Sequence, residues 1–227
     1  MSAGTVPENL KARVKESYDA IADSYASRFT QADDPVRLRY IRHLIEQFKA
    51  SEQSEVNVLE LGCGSGIPAT KFMLDNDKPA FSVVGNDIST TQLNLARSNL
   101  AGFEDRVTLV ETDMLSLDYP NSIFDAVTGF YSIIHLPREE QTQLMRKIFA
   151  WLKPGGFFLA NFGVDEMTTH EIQNWLAHEK GWMFWSGWGK EGSLKMVEDV
   201  GMNLVLTEVR EEVGDMTFLW ILAQKSS

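Results

Sequence analysis

Apolar positions in the first fifty residues recur at three- and four-residue spacing. Leu10, Val14, Tyr18, Ile21 and Tyr25 form one stripe, which predicts a helix over about 8–30. Pro35 opens a second helix over 36–48, with Leu38, Ile41, Leu44, Ile45 and Phe48 on one face. The period then shortens. Residues 56–61 form an apolar run that predicts a strand; it leads into glycines at 62, 64 and 66 and a helix over about 68–75. Runs at 81–85, 107–110, 124–128 and 157–162 predict four more strands. Between them lie a helix over 90–99, capped by Ser89 and stopped by Gly102, and one from Pro137 to about 152. Lys153-Pro154-Gly155-Gly156 reads as a turn.

Strand and helix alternate five times, so the expected fold class is α/β, a parallel sheet covered on both faces. The end of the chain changes character. A helix over 192–201 precedes two strand-like runs, 204–213 and 216–223, separated by Gly214-Asp215. That dipeptide signals a hairpin, so an antiparallel pair is appended to the parallel sheet.

Composition narrows the partners. The 227 residues fit one α/β domain, and 44% hydrophobic content supplies a core. A net charge of −11 argues against nucleic-acid backbone and anionic membrane as partners. The single cysteine, Cys63, excludes an internal disulfide and a multi-thiolate zinc site. No apolar run reads as a signal peptide or a membrane span, so a cytoplasmic protein is expected, monomeric or homodimeric.

The glycine loop is the first chemical signal. It leaves a buried strand at its carboxyl end, where open α/β sheets bind ligands, and glycine lets backbone approach a ligand closely. Its spacing is G-x-G-x-G, not the G-x-G-x-x-G of dinucleotide folds, which disfavours an oxidoreductase. Asp87 ends the second strand, 21 residues after Gly66, where a carboxylate can accept both hydrogen bonds of a ribose diol. The same residue also suits a helix cap. Asp113, before Met114, ends the third strand; its carboxylate can accept from an adenine amine while the thioether packs on the ring. A solvated loop acid is the other reading.

These segments together resemble the class I S-adenosylmethionine-dependent methyltransferase family. The resemblance rests on Val58-Leu59-Glu60-Leu61-Gly62-Cys63-Gly64-Ser65-Gly66, Val84-Gly85-Asn86-Asp87-Ile88-Ser89, Thr112-Asp113-Met114, Phe124-Asp125-Ala126-Val127 and Leu152-Lys153-Pro154-Gly155-Gly156, and spans roughly 18–224. It implies a Rossmann-like doubly wound seven-stranded sheet in the order 3-2-1-4-5-7-6, strand 7 antiparallel. It also implies S-adenosyl-L-methionine as cofactor and a small-molecule substrate. By position, Gly62, Cys63, Gly64 and Gly66 shape the loop around the cofactor's amino-acid end. Glu60 orients that loop or the ammonium, Asp87 and Ile88 hold ribose and adenine, Asp113 and Met114 the adenine, and Phe130 or Tyr131 the methionine moiety. Asn86 departs from the family's usual apolar residue without moving Asp87 out of register. The helix carrying Tyr18 and Tyr25 resembles one that closes over the cofactor; tyrosine faces suit a sulfonium, and plain amphipathic packing explains them equally. Residues 1–50 are therefore expected to cap the cofactor site of a methyltransferase domain formed by 51–227.

His135, just beyond the fourth strand, is the candidate catalytic base, since an unperturbed imidazole titrates near 6.5. A packing role is the alternative. His43, His170 and His178 lack such placement. The segment 164–191, with Trp182, Trp185 and Trp188 among glycines, reads either as a mobile apolar cover of a substrate pocket or as a satellite hydrophobic cluster. No metal site is expected. An enzyme methylating a small, apolar or aromatic metabolite is the first reading; a non-catalytic cofactor-binding module is the second.

Overall fold

The computed structural model describes residues 5–212 and 216–226. The helices are α1 (Leu10–Phe29), α2 (Pro35–Ala50), α3 (Ala69–Leu74), α4 (Thr90–Asn99), α5 (Arg138–Trp151) and α6 (Gly189–Asp199). The strands are β1 (Glu55–Leu61), β2 (Ala80–Asp87), β3 (Val107–Glu111), β4 (Phe124–Gly129), β5 (Leu152–Gly163), β6 (Glu166–Gln173), β7 (Trp182–Trp188), β8 (Met202–Glu211) and β9 (Thr217–Lys225).

Seven strands form one sheet, in the order β3-β2-β1-β4-β5-β9-β8. With the inserted β6–β7 pair set aside, this is the order the resemblance implied. The pairs from β3 to β5 are parallel, and β9 runs antiparallel to β5 and β8. The proposed turn residues Gly214 and Asp215 lie outside the described residues. The strand order reverses between β1 and β4, which opens a crevice at their carboxyl ends.

Two-residue periodicity sorts side chains to the two faces. Val56 and Val58 join Phe81, Leu159 and Trp220 under α2, α3 and α4. Leu59 and Leu61 join Val127, Phe158 and Ile221 under α5 and α6. Helix α2 belongs to this core: Tyr40, Ile41, Leu44 and Phe48 are buried against the sheet. Its start is set by Asp34, whose Oδ1 accepts from the N–H groups of Val36 and Arg37. Ser89 caps α4 as expected, accepting from Gln92 N–H.

Two readings change. Lys153–Gly156 does not stand apart as a turn. It lies within β5 as a bulge, where the register against β4 steps from Phe124–Leu152 to Ala126–Phe157. Residues 166–188 do not form a loose cover either. They include a separate antiparallel hairpin, β6–β7. Alternation on β7 buries Trp182 and Phe184 against Leu10 and Val14 of α1, and this burial outweighs the looseness the glycines suggested.

Trp220 is wholly buried and stacks on Tyr40, with centroids 4.0 Å apart and planes within 8°. Trp220→Ala is expected to cost about 3–5 kcal/mol in urea unfolding, from lost transfer energy and the cavity left behind. A loss below about 1 kcal/mol would show that the last hairpin contributes little to the core.

Candidate active site

The crevice at the strand ends holds a cavity of about 80 Å³. The glycine loop forms its floor, and the three glycines serve different ends. Gly62 has φ +71°, and a Cβ there would lie 2.4 Å from Ser132 Cβ. At Gly66, with φ +76°, it would lie 2.8 Å from Leu100 Cδ1. Protein packing alone therefore demands glycine at both positions. Gly64 opens onto the cavity, where a Cβ would find only Gln92 Oε1 at 3.7 Å. Close approach to a ligand is thus a reason for glycine only at Gly64.

Asp87 ties this loop to β2. Its Oδ2 accepts Gly64 N–H at 2.8 Å and its Oδ1 accepts Ser89 N–H at 2.9 Å. It thus braces the turn into α4, as the helix-cap reading expects, and also lines the cavity. Burial raises its carboxyl pKa despite these N–H groups. Asn86, the departure from the family pattern, is buried; its amide donates to Val110 O at 3.2 Å and Thr112 O at 2.8 Å, stitching β2 to the end of β3. Ile88, Asp113 and Met114 line the same wall. Asp113 Oδ1 accepts Leu115 N–H at 3.1 Å and faces Lys11 Nζ at 3.6 Å.

Helix α1 closes the opposite wall with Lys11, Val14, Tyr18 and Tyr25. It is held by Asp19, which accepts from Ser89 Oγ at 2.6 Å and Thr91 N–H at 3.0 Å. Lys15 reaches Glu111 at 3.0 Å, and Ser17 Oγ accepts Trp182 N–H at 2.8 Å. Tyr18 and Tyr25 meet edge to face, with centroids 5.3 Å apart. Burial pushes both phenols above their ordinary range, so both stay protonated.

His135 lines the cavity and is 9% exposed. Its Nδ1 lies 2.8 Å from Phe184 O, and its Nε2 lies 2.8 Å from Tyr18 Oη. A carbonyl only accepts, so Nδ1 carries the proton and Nε2 accepts from the tyrosine hydroxyl. Burial lowers the imidazole pKa to about 4, well below the value near 6.5 that the sequence alone suggested. Phe130 and Tyr131 complete the far end. Tyr131 is held at φ +54°, a left-handed conformation costly for a bulky residue, with its N–H on Asn161 Oδ1 at 2.7 Å.

Some expected site residues do not reach the cavity. Period-two alternation puts Glu60 on the face of Val56 and Val58, where Thr70 Oγ1 donates to it at 2.6 Å. Burial pushes its pKa up to about 7. Cys63 is buried behind the loop, and its thiol pKa is driven well up by burial. Trp182, Trp185 and Trp188 do not line the cavity. Trp182 packs under Arg13, 3.9 Å from ring centroid to guanidinium, and Trp188 under Arg138 at 4.5 Å. Trp185 comes nearest, 6.1 Å from the His135 ring. Lys11, Gln92 and Thr112 line the cavity and were not singled out. Helical spacing from Tyr18 could have exposed Lys11; no sequence signal marks Gln92.

Comparison with known proteins agrees with this geometry. Residues 58–156 match the family model described as a methyltransferase domain. A sterol 24-C-methyltransferase of Yarrowia lipolytica is 29% identical over 166 residues, 71% of this chain and 43% of that protein. Methyltransferase GfsG of Streptomyces halstedii is 30% identical over 171 residues, 68% of this chain and 59% of its own length. The chain thus spans about half the length of these relatives. Among solved structures, a 1,6-didemethyltoxoflavin-N1-methyltransferase of Burkholderia thailandensis superposes with TM-score 0.72 at 15% identity, covering 100% of this chain and 93% of that one. The [4+2]-cyclase SpnF superposes with TM-score 0.71 at 19% identity, covering 100% and 99%. The fold is a doubly wound α/β sheet with its crevice at the switch point. Sheet order, glycine loop and the domain match over residues 58–156 support a class I S-adenosylmethionine-dependent methyltransferase.

Two buried groups pull stability in opposite directions with pH. His135 stays neutral in the fold down to about 4, while the unfolded chain takes its proton near 6.5; its burial lowers stability as pH falls through that window. Glu60, raised to about 7, keeps a proton that the unfolded chain releases above about 4.5; that contribution is complete at low pH and lost as pH rises through 7. Where the windows overlap, each slope is about 1.4 kcal/mol per pH unit and they oppose. Glu60→Gln keeps an acceptor for Thr70 and removes one slope. Between about pH 5 and 6.5 its unfolding free energy should therefore climb by about 1.4 kcal/mol per pH unit more than that of the wild type. Parallel urea-unfolding profiles for the two proteins would rule out a protonated, buried Glu60.

Proposed function

We propose that this protein transfers the methyl group of S-adenosylmethionine to a small, apolar or aromatic molecule. One observation carries the reading: a single cavity at the carboxyl ends of β1 to β4 gathers Gly64, Asp87, Ile88, Asp113, Met114 and His135. These residues fit the group. Gly64 leaves backbone open to a ligand, and the Asp87 carboxylate, with two N–H donors already bound, keeps lone pairs for ribose hydroxyls. Asp113 can accept from the adenine amine beside the Met114 thioether. When bound, S-adenosylmethionine supplies an activated methyl on a positively charged sulfur. The cavity falls below the roughly 300 Å³ of typical small-molecule sites, and α1 is the wall that side-chain bonds tie to α4 and β7.

The chain's own residues align the acceptor and exclude water. Tyr18 and Tyr25 present faces and hydroxyls that suit a cation. His135 Nε2, the one basic nitrogen in the cavity wall without a proton, can accept the proton of an acceptor hydroxyl in place of Tyr18. Aromatic rings extend outward from it: Trp185, then Trp175, which stacks on Phe29 with centroids 5.6 Å apart. Such a path favours an apolar or aromatic acceptor. The relatives named for a sterol and for a toxoflavin precursor act on small molecules of this kind. The acidic net charge supports a partner other than nucleic acid. We further propose a cytoplasmic protein, monomeric or homodimeric; among the described residues no helix is long and apolar enough to cross a membrane.

Transfer of labelled methyl from S-adenosylmethionine into a metabolite extract tests the reading. Tight binding with no labelled product from any extract would favour the non-catalytic module instead. Asp87→Ala is expected to weaken S-adenosylhomocysteine binding by about tenfold or more in calorimetry, through loss of charge-assisted hydrogen bonds. Unchanged affinity removes Asp87 from the site. His135→Gln should lower kcat by about 10²-fold with cofactor affinity nearly intact, and full turnover across pH would leave His135 a packing residue.

A further inference from the structure

Strand β7 meets its neighbours through its backbone as well as through its side chains. Trp182, Phe184 and Ser186 are two residues apart, so their backbone groups share one edge of the strand. Each reaches a different element. Trp182 N–H donates to Ser17 Oγ of α1 at 2.8 Å, Phe184 O lies 2.8 Å from His135 Nδ1, and Ser186 O accepts from Gln141 Nε2 of α5 at 3.0 Å. Gln141 Nε2 also donates to Leu136 O at 2.9 Å, beside His135 itself. Ser17 and Gln141 are wholly buried. The carbonyl of Phe184 is thus held from both sides, two residues before it and two after.

The two partners of the His135 ring are not equivalent. A hydroxyl both donates and accepts, so Tyr18 Oη can pair with Nε2 whether or not that nitrogen carries a proton. A carbonyl only accepts, so Phe184 O pairs with Nδ1 only when Nδ1 is protonated. In the other tautomer two lone pairs would face each other across 2.8 Å. The choice between tautomers therefore falls to the inserted hairpin and not to the tyrosine.

We propose that β7 is a tautomer lock for His135, with Ser17 and Gln141 as the positioning residues that hold the Phe184 carbonyl against Nδ1. The lock keeps the proton on Nδ1 and leaves the Nε2 lone pair on the cavity side. What that lone pair does in turnover rests on the reading of His135 as a base; the lock itself exists without acceptor or cofactor.

Nitrogen-15 NMR of the full chain, labelled at histidine and held near neutral pH, tests the proposal. The His135 signals are those lost in His135→Gln. In the wild type Nδ1 should be the protonated nitrogen and Nε2 the bare one. Ser17→Ala and Gln141→Met each release one side of the carbonyl, so the Nε2–H population should rise about tenfold, the effect of weakening one hydrogen bond. The two nitrogen shifts of His135 would then move toward each other. Tyr18→Phe should leave the wild-type tautomer in place. A wild type that carries its proton on Nε2 overturns the proposal, and so does a change of tautomer in Tyr18→Phe. Unchanged His135 shifts in both Ser17→Ala and Gln141→Met overturn the positioning role, and a response to one alone removes the other residue from it. If the lock behaves as expected while His135→Gln keeps full turnover, the base reading fails and the lock stands.

Discussion

The site depends on one carboxylate held between two strand ends. Asp87 accepts the N–H of Gly64 on one oxygen and that of Ser89 on the other. The loop after β1 and the start of α4 are thereby locked to the tip of β2. Cys63 N–H on Asn86 O, at 2.8 Å, seconds the tie. Removing the charge would free the loop as well as strip the ligand of a partner. Two N–H donors keep the group useful as an acceptor although burial works against its ionisation. Such a carboxylate is preorganised: its orientation is set before any ligand arrives.

Helix α1 supplies the second constraint. Asp19, Lys15, Ser17 and Tyr18 each bond to a different element, namely α4, the end of β3, β7 and the turn bearing His135. The inserted hairpin is packed against α1 through Trp182 and Phe184. A displacement of α1 would therefore pull on the hairpin and on His135 together. Access to the cavity and the state of its one imidazole are mechanically linked through the Tyr18 hydroxyl.

Much of this was legible without coordinates. Strands and helices of the first 160 residues are legible from periodicity because burial on two faces leaves little choice of pattern, and the Ser89 cap and Asp87 at a strand tip follow from local chemistry. The hairpin 166–188 was not legible as such. Its exposed strand β6 carries weak alternation, and its partner β7 is buried against α1, distant in sequence. The packing of the tryptophans was not legible for the same reason: arginines 13 and 138 cover two of the three, and no local spacing announces that.

By itself the sequence determined the parallel core, the order of motifs along it and the residues that reach the strand tips, since these follow from short-range periodicity and from glycine and carboxylate positions. Only the tertiary structure decided which face each tip residue presents. Glu60 was turned toward Thr70, Gly62 and Gly66 were claimed by Ser132 and Leu100, and Gln92 was brought unpaired against Gly64. His135 likewise became a neutral, buried acceptor only through contacts with Tyr18 and Phe184. The reason is physical: desolvation and hydrogen-bond pairing depend on neighbours far along the chain, which a local pattern does not encode.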